Sequence, residues 1–233
     1  MARTNRRKDI PNQQQLWNQQ HAVRGVSGIE GDSLKFAPNQ SAVLFEQKLP
    51  AGSTILEVGS ANGRDARYWA SKGHEVVALD FSEVALDQLQ QLAVAQQVNE
   101  LIIPIVWDIA DGKLPLNKMP KNITGFYARS ALHVGDKQMY VLGQEVNSVL
   151  QAGGKVFIEG KGNKDPKIAR SKKIGNGLAV DQEENGHLRR IWHPEFVNKL
   201  CAAVGWDILE LNTSTEDWNG TQALFLSLLA QKG

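Results

Sequence analysis

Apolar residues alternate along most of the chain between short continuous stretches and helical periods. The continuous stretches predict strands, because strands that are buried on both faces of a sheet are apolar throughout; they lie at 54–58, 75–80, 102–107, 125–128 and 155–159. The helical periods between and around them predict helices at 41–48, 65–72, 82–97, 136–150 and 194–204. This order is typical of an α/β fold, a Rossmann-like, doubly wound, mostly parallel sheet with helices on both faces.

The two ends of the chain depart from this alternation. Apolar stretches at 206–211 and 223–229 predict an antiparallel C-terminal strand pair, which completes a seven-stranded sheet. Residues 13–24 predict a short helix, and 25–40 contain three glycines and a proline, which favours a loop. We therefore divide the chain into an N-terminal tail and cap or lid segment, 1–40, and one α/β domain, 41–233.

Composition and charge narrow the class of protein. The 233 residues carry 26 Lys and Arg against 25 Asp and Glu, a balance that argues against nucleic acid as a partner. The single Cys201 cannot form an intramolecular disulfide, and no apolar run reaches the roughly 18 residues that cross a bilayer. We expect a cytoplasmic protein with no membrane partner, whose basic first residues are a solvated tail or, alternatively, a nucleic-acid arm.

A glycine-bearing turn follows the first predicted strand in the segment ILEVGSANGRDA. Such turns let a ligand approach the backbone closely, as in dinucleotide sites with the pattern G-x-G-x-x-G. Here Ala61 replaces the second glycine, and Glu57 lies two positions before Gly59, where a carboxylate repels a pyrophosphate and attracts an ammonium group. The turn therefore favours S-adenosyl-L-methionine, which carries an amino group, a sulfonium and no phosphate, over a nicotinamide dinucleotide.

Two later strand ends add carboxylates at the same edge of the predicted sheet. Asp80 lies 21 residues beyond Gly59, where it can accept hydrogen bonds from ribose hydroxyls, and Phe81 can lie on the adenine. Asp108 ends the third strand, where it can accept from the adenine amine while the Ile109 amide donates to a ring nitrogen. Three acidic strand ends are thus predicted to converge on one ligand.

The segment ILEVGSANGRDARYWASKGHEVVALDFSEVAL resembles motifs I and II of class I S-adenosylmethionine-dependent methyltransferases, and residues 41–160 match that family in order and spacing. GRDA and the following WASKGHEVVALD are similar to the branch with tellurite-resistance and thiopurine methyltransferases. The resemblance implies methyl transfer to an oxygen, sulfur or nitrogen of a small molecule; Ala61 departs from the family's usual glycine. The predicted cofactor contacts are Glu57, Gly59, Ala61, Gly63, Asp65, Asp80, Phe81, Asp108, Ile109 and Arg129.

The methyl acceptor is expected beyond the fourth strand, in the segment FYARSALHV. The family resemblance places Arg129, Ser130, Leu132 and His133 there, facing the methyl group. His133 is either a general base or a group that caps the next helix or bonds a carbonyl. The Pro-Pro-aromatic signature of amino-methylating nucleic-acid enzymes does not follow this strand, which argues against base methylation.

A long basic loop is predicted at 160–190, either as a lid over the acceptor or as a solvated surface loop. Lys161 and Arg189 would then favour an anionic acceptor such as a carboxylate or phosphate. Trp17 is either part of a lid or a core anchor for its helix. The predicted catalytic residues are His133, Arg129 and Arg189, and the predicted acceptor-binding residues are Trp17, Ser130, His133, Lys161 and Arg189.

Methyl transfer is an in-line displacement that requires alignment rather than a metal, and the sequence has no His/Cys cluster at zinc spacing. Two alternatives stay open: a non-catalytic module that binds adenosylmethionine, and an RNA-modifying methyltransferase. The oligomeric state leaves no signal in the sequence.

Overall fold

The computed structural model describes residues 10–24, 37–218 and 221–233; the predicted tail and most of the predicted loop at 25–40 lie outside these residues. The helices are α1 (Gln13–Arg24), α2 (Gln40–Glu46), α3 (Arg64–Ser71), α4 (Glu83–Ala95), α5 (Asp136–Val149), α6 (Pro166–Arg170) and α7 (Pro194–Val204). The strands are β1 (Thr54–Val58), β2 (Glu75–Asp80), β3 (Ile102–Val106), β4 (Ile123–Arg129), β5 (Leu150–Lys161), β6 (Lys172–Gly175), β7 (Leu178–Asp181), β8 (His187–Arg190), β9 (Trp206–Trp218) and β10 (Thr221–Lys232).

Seven of these strands form one sheet of order β3-β2-β1-β4-β5-β10-β9. β1 to β5 are parallel, and β10 runs antiparallel to both β5 and β9. The predicted fold, including the antiparallel C-terminal pair, is confirmed. β2 and β3 follow on one side of β1, and β4 pairs with β1 on its other side. The strand order therefore reverses between β1 and β4, which leaves a crevice at their carboxyl ends. Folds of this kind bind ligands in that crevice.

The sheet is buried on both faces, which explains why its central strands are apolar throughout. Successive strand residues face opposite sides, and in β1 both Ile55 and Leu56 are fully buried. Ile55 packs with Trp69 of α3, whereas Leu56 belongs to the cluster that contains Phe126 of β4 and Leu200 of α7. Burial of each such side chain contributes about 1.5–3 kcal/mol, so the helices are held firmly around the crevice.

The prediction of a long loop at 160–190 was wrong. This segment contains α6 and a second sheet of order β6-β7-β8, in which neighbouring strands are antiparallel. Asn176 and Gly177 join β6 to β7 with φ of 52° and 72°. A two-residue Asn-Gly turn with both φ positive matches the twist of a hairpin, and this dipeptide is the signal from which the sheet could have been predicted.

α1 lies apart from the central sheet, between α4 and β8. Across the ranges that the structure describes, none of the helices combines the length and apolar character needed to cross a bilayer.

Candidate active site

A cleft of about 1310 Å³ lies at the carboxyl ends of β1 to β4. The residues that follow these strands form its floor. α1 forms one side, and the three-stranded sheet of β6, β7 and β8, called the small sheet below, forms another. α1 contributes Gln13, Gln14, Trp17 and His21, and the small sheet contributes Ile174, Gly175, Asn176, Leu178 and Leu188. The cleft therefore joins three parts of the chain that are far apart in sequence.

The turn after β1 brings the backbone close to the cleft. Gly59 has φ of 78°, and a Cβ at this position would lie 2.1 Å from Cβ of Ala131, so a side chain has no room. Ala61, which stands where the family usually has glycine, also has a positive φ of 49°. Its amide donates to Oδ2 of Asp80 at 2.9 Å. This hydrogen bond holds the turn against the end of β2 and offsets part of the cost of the left-handed conformation.

Glu57 is the most unusual carboxyl group of the cleft. It is 4% exposed, and Oε2 accepts no hydrogen bond from any residue in the described ranges. Burial raises the pKa of Glu57 well above its ordinary value, and the negative charges of Asp65 and Asp80 raise it further. An unpartnered buried carboxyl group destabilises the fold, and it fits a ligand that brings a cationic donor.

Asp80 is held in place by two backbone amides. Oδ1 accepts from Ser82 and Oδ2 from Ala61, each at 2.9 Å. Burial raises the pKa of Asp80, and the amide hydrogen bonds oppose this shift. Each carboxylate oxygen has a second lone pair, so the group can still accept from ribose hydroxyls as predicted.

The structure also brings the other predicted adenine and cofactor contacts to the cleft. Phe81, Asp108 and Ile109 line it, and Oδ1 of Asp108 accepts from an amide of the turn that follows β3. Asp65 lines the cleft too, but both of its oxygens accept from Asn39, at 2.8 and 2.6 Å. Asp65 thus fixes the start of α2 against α3.

Arg129 and Ser130 lie at the end of β4 and line the cleft as predicted. The Arg129 guanidinium, however, donates from Nε to Glu159 at 2.6 Å and from one terminal nitrogen to both carboxylate oxygens of Glu216 at 2.7 and 2.6 Å. Glu216 lies on β9, 87 residues away. Two carboxylates therefore balance the charge of Arg129 before any acceptor enters.

His133 lines the cleft with a neutral ring. Burial lowers the pKa of His133 to about 3, and the nearby positive charge of Arg189 contributes to this shift. Nδ1 accepts from the Arg190 amide at 3.3 Å, which assigns the ring hydrogen to Nε2; Nε2 is buried and makes no hydrogen bond among the described residues. A hydrogen bond between the ring and the Ser130 backbone opposes part of the fall in pKa. The ring is thus arranged to donate rather than to take a proton, which disfavours the predicted general base.

Lys161 and Arg189 were expected at the acceptor, and the structure places neither among the residues that line the cleft. Nζ of Lys161 lies 3.2 Å from a carboxylate oxygen of Asp165. Arg189 forms an ion pair with Glu184 and lies 3.8 Å from Asp181. Lys161 pairs with Asp165 four residues further along the chain, after the end of β5. The pairing of β7 with β8 brings Asp181 and Glu184 to Arg189.

α1 closes one side of the cleft through contacts at both ends. The Gln13 side chain donates to the Gly186 carbonyl at 3.2 Å and accepts from the Leu188 amide at 2.8 Å. Trp17 stacks on His187 with ring centroids 4.8 Å apart and planes 3° apart. Trp17 therefore lines the cleft wall and anchors α1 to the sheet of β6, β7 and β8; its role as part of a lid stays a prediction.

The opposite side of α1 is tied to the main domain. Nε2 of Gln14 donates to the Phe81 carbonyl at 2.8 Å, and Nε2 of Gln88 donates to the His21 carbonyl at 3.2 Å. α1 thus bridges the small sheet and the ends of the central strands. Sequence reasoning missed Gln13, Gln14 and Gln88, since a glutamine in a Gln-rich helix carries no signal of a partner so distant in sequence.

The fold, the glycine turn and the acidic strand ends agree with the layout that the sequence resemblance implied. Residues 55–154 match the family described as methyltransferase domain, and the resemblance seen in the sequence is confirmed. This domain covers the strands β1 to β4 that shape the cleft.

Particular relatives support the same class. The chain is 25% identical over 167 residues to sarcosine/dimethylglycine N-methyltransferase of Aphanothece halophytica, a match over 71% of this chain and 56% of that protein. The chain therefore spans a little over half the length of this relative.

Two solved structures share the fold at 16% identity. TehB of Haemophilus influenzae superposes with a TM-score of 0.62, over 84% of this chain and 63% of that one. The 1,6-didemethyltoxoflavin-N1-methyltransferase of Burkholderia thailandensis, solved with 1,6-didemethyltoxoflavin and S-adenosylhomocysteine bound, superposes with a TM-score of 0.64, over 94% and 88% of the two chains.

Proposed function

We propose that the protein is an S-adenosyl-L-methionine-dependent methyltransferase that acts on an oxygen, sulfur or nitrogen nucleophile of a small molecule. The observation that carries this proposal is the buried carboxyl group of Glu57, whose Oε2 lacks a donor among the described residues. It shares one cleft with Asp80 and Asp108 at neighbouring strand ends. A ligand with a cationic amino group, a ribose and an adenine matches these three acceptors in order.

Each part of the cofactor then has a protein group suited to it. Glu57 binds the amino group, Asp80 accepts from the ribose hydroxyls, and Asp108 with the Ile109 amide holds the adenine edge, while Phe81 lies on its face. The cofactor supplies an activated methyl group on a positively charged sulfur. The residues of the chain bind and align, and the closure of α1 over the cleft excludes water.

The relatives support transfer to a small molecule. By their names, the proteins of A. halophytica and B. thailandensis methylate nitrogen, the first on sarcosine or dimethylglycine and the second on 1,6-didemethyltoxoflavin. These names motivate the acceptors to be tested.

Calorimetry with S-adenosylmethionine and S-adenosylhomocysteine tests the cofactor site directly. We expect both to bind, and we expect Asp80→Ala to weaken binding about 10- to 100-fold, because it removes an acceptor for two hydroxyls in a buried site (about 1.5–3 kcal/mol). Asp87→Ala, which removes an exposed carboxylate of α4, serves as the control and should bind normally. Unmeasurable binding by the unaltered protein would exclude the proposed function.

Turnover separates an enzyme from a binding module. Mass spectrometry of reactions with thiols, phenols, amines and heterocycles should show S-adenosylhomocysteine together with a methylated acceptor. Cofactor binding without product across such acceptors would instead support the non-catalytic module, and RNA binding that weakens steeply with salt would support RNA modification.

The docking of α1 should control how fast the cofactor leaves. Gln13→Ala removes both hydrogen bonds to the backbone of 186–188, so we expect S-adenosylhomocysteine to dissociate several-fold faster, with an effect of about 1 kcal/mol. Gln15→Ala, in the same helix at an exposed position, is the matched control. Stopped-flow fluorescence measures the rate, and equal rates for the two variants would show that α1 does not gate the cleft.

A further inference from the structure

The part of the cleft away from the acidic strand ends has a different chemistry, and it is there that an acceptor must lie if the proposed function holds. Its apolar lining comes from the small sheet and α1, through Ile174, Leu178, Leu188 and Trp17. Its polar lining comes from Tyr127, Ser130, His133, Gln138 and Asn176, together with Arg129, whose charge is already paired with two carboxylates. This half of the cleft, called the acceptor pocket below, offers apolar surface and neutral hydrogen-bonding groups.

The cations around the acceptor pocket are already paired. Arg129 is held by Glu159 and Glu216, and Arg189 is held by Glu184, with Asp181 close by. Arg190, the third arginine near His133, donates to Asp136 and to the Val134 carbonyl, both at 2.8 Å. An anionic acceptor would have to break one of these pairs and would approach Glu57, Asp65 and Asp80 in the same cleft.

The titratable groups that line the acceptor pocket in the described part of the chain are also poorly suited to take a proton. Burial and nearby positive charge keep the pKa of His133 near 3. Burial raises the pKa of Tyr127, so its hydroxyl stays protonated at neutral pH. Glu159, just behind the pocket, is occupied by Arg129. A hydroxyl, a thiol or an alkylammonium must lose a proton before it can attack, whereas a neutral aromatic ring nitrogen has its lone pair free at neutral pH.

We propose that the acceptor is an uncharged nitrogen heteroaromatic molecule, which lies against Trp17 and the apolar wall and accepts a hydrogen bond from Nε2 of His133. This inference rests on the proposed function and names its substrate class. On binding, Nε2 of His133 gains a hydrogen-bond acceptor. A ligand without an acceptor would leave this buried donor unpaired and would therefore bind more weakly.

The transfer balances without a base on the protein. The lone pair of the ring nitrogen forms the new bond to the methyl carbon, and the electron pair of the broken carbon–sulfur bond returns to sulfur. The positive charge moves from sulfur to the ring within one cleft, whose carboxylates favour a cation before and after the transfer. A ring that carries an N–H then loses that proton to solvent, and a ring without one leaves as the cation.

The test offers the full chain three neutral probes: benzimidazole, quinoxaline and pteridine. Each is compared with the derivative that carries a carboxylate on the ring. Thiophenol and benzylamine serve as acceptors that must first lose a proton. Mass spectrometry of probe and S-adenosylhomocysteine follows methyl transfer. We expect transfer to neutral ring nitrogens, with kcat/KM at least about 100-fold lower for the carboxylates because of unpaired charge. Transfer confined to carboxylates, thiolate or benzylamine, or no transfer to any neutral ring, overturns the inference.

Two substitutions at His133 separate donation from proton removal. His133→Gln keeps a donor near the position of Nε2, whereas His133→Leu removes it. We expect His133→Leu to raise KM for the accepted ring at least about tenfold with the Kd of S-adenosylhomocysteine unchanged, and His133→Gln to restore most of the loss. A large loss of kcat in both variants at unchanged KM would identify His133 as a base and overturn the inference.

The cofactor measurement keeps the two proposals apart. If S-adenosylhomocysteine does not bind the unaltered protein, the proposed function fails and this inference fails with it. If it binds and transfer is confined to charged acceptors, this inference alone is overturned.

Discussion

Glu57→Gln is expected to make the protein without cofactor more stable and the cofactor complex weaker. The substitution keeps the shape of a side chain that is 4% exposed but removes the charge of a carboxyl group whose Oε2 has no donor in the described ranges. Without this carboxylate, the cleft also lacks the negative charge that would hold the amino group of the cofactor. We expect binding of S-adenosylmethionine to weaken about 10- to 100-fold, the size of one charge-assisted hydrogen bond.

The gain in stability should depend on pH in a defined direction. Because burial raises the pKa of Glu57 in the folded chain, the folded state holds its proton more tightly than the unfolded state, and stability falls as pH rises through that window. Glutamine does not titrate. The excess stability of Glu57→Gln should therefore be absent below the pKa of an unfolded glutamate, about 4.3, and grow as pH rises toward neutrality.

Thermal unfolding from about pH 4 to about pH 8, with calorimetric binding at neutral pH, measures both effects. Glu100→Gln makes the same chemical change at an exposed carboxylate and is the control. A variant that is less stable than the unaltered chain at neutral pH, or that binds the cofactor equally well, would contradict the role of Glu57.

Gly59→Ala and Ala61→Gly should shift stability in opposite directions, although they lie two residues apart in one turn. At Gly59 the new Cβ meets Ala131 at 2.1 Å and the residue has φ of 78°. Overpacking and left-handed strain together should cost about 2–4 kcal/mol and lower Tm by roughly 5–15 °C. Because the turn must also admit the cofactor, methyl transfer should fall steeply.

At Ala61 the change removes strain instead. Glycine adopts φ of 49° without a Cβ penalty, so we expect Ala61→Gly to raise Tm by about 1–4 °C and to retain the amide bond to Asp80. Differential scanning calorimetry measures the Tm of both variants against that of the unaltered protein. A stabilised Gly59→Ala, or a strongly destabilised Ala61→Gly, would show that the turn has a different conformation.

Local sequence patterns were sufficient for the central sheet and for the acidic strand ends of the cleft. β1, β2 and α7 begin and end where the apolar pattern places them. Glu57, Asp80 and Asp108 all line the cleft, because the carboxyl ends of parallel strands must share one edge. These features follow from short-range periodicity and from the topology that it implies.

The charge and pairing of the groups around the acceptor pocket could not be inferred from local sequence patterns. Charge alone indicated an anion site at Lys161 and Arg189, but the strand pairing of 172–190 gives Arg189 its partner Glu184, and Lys161 pairs with Asp165. The same folding buries His133 beside the positive charge of Arg189 and gives Nδ1 the Arg190 amide as a partner, which lowers the pKa of the ring.

The sequence by itself determined the order of the central strands and of the helices that flank them, the glycine turn and the acidic strand ends, because each depends on residues close together along the chain. The tertiary structure alone decided which charged side chains are already paired within the protein and which remain available to a ligand. Arg129 lies 87 residues from Glu216, and Gln13 lies 173 residues from the Gly186 carbonyl that it binds. Ion pairs and burial depend on such distant neighbours, and they decide which charged groups around the cleft are already paired.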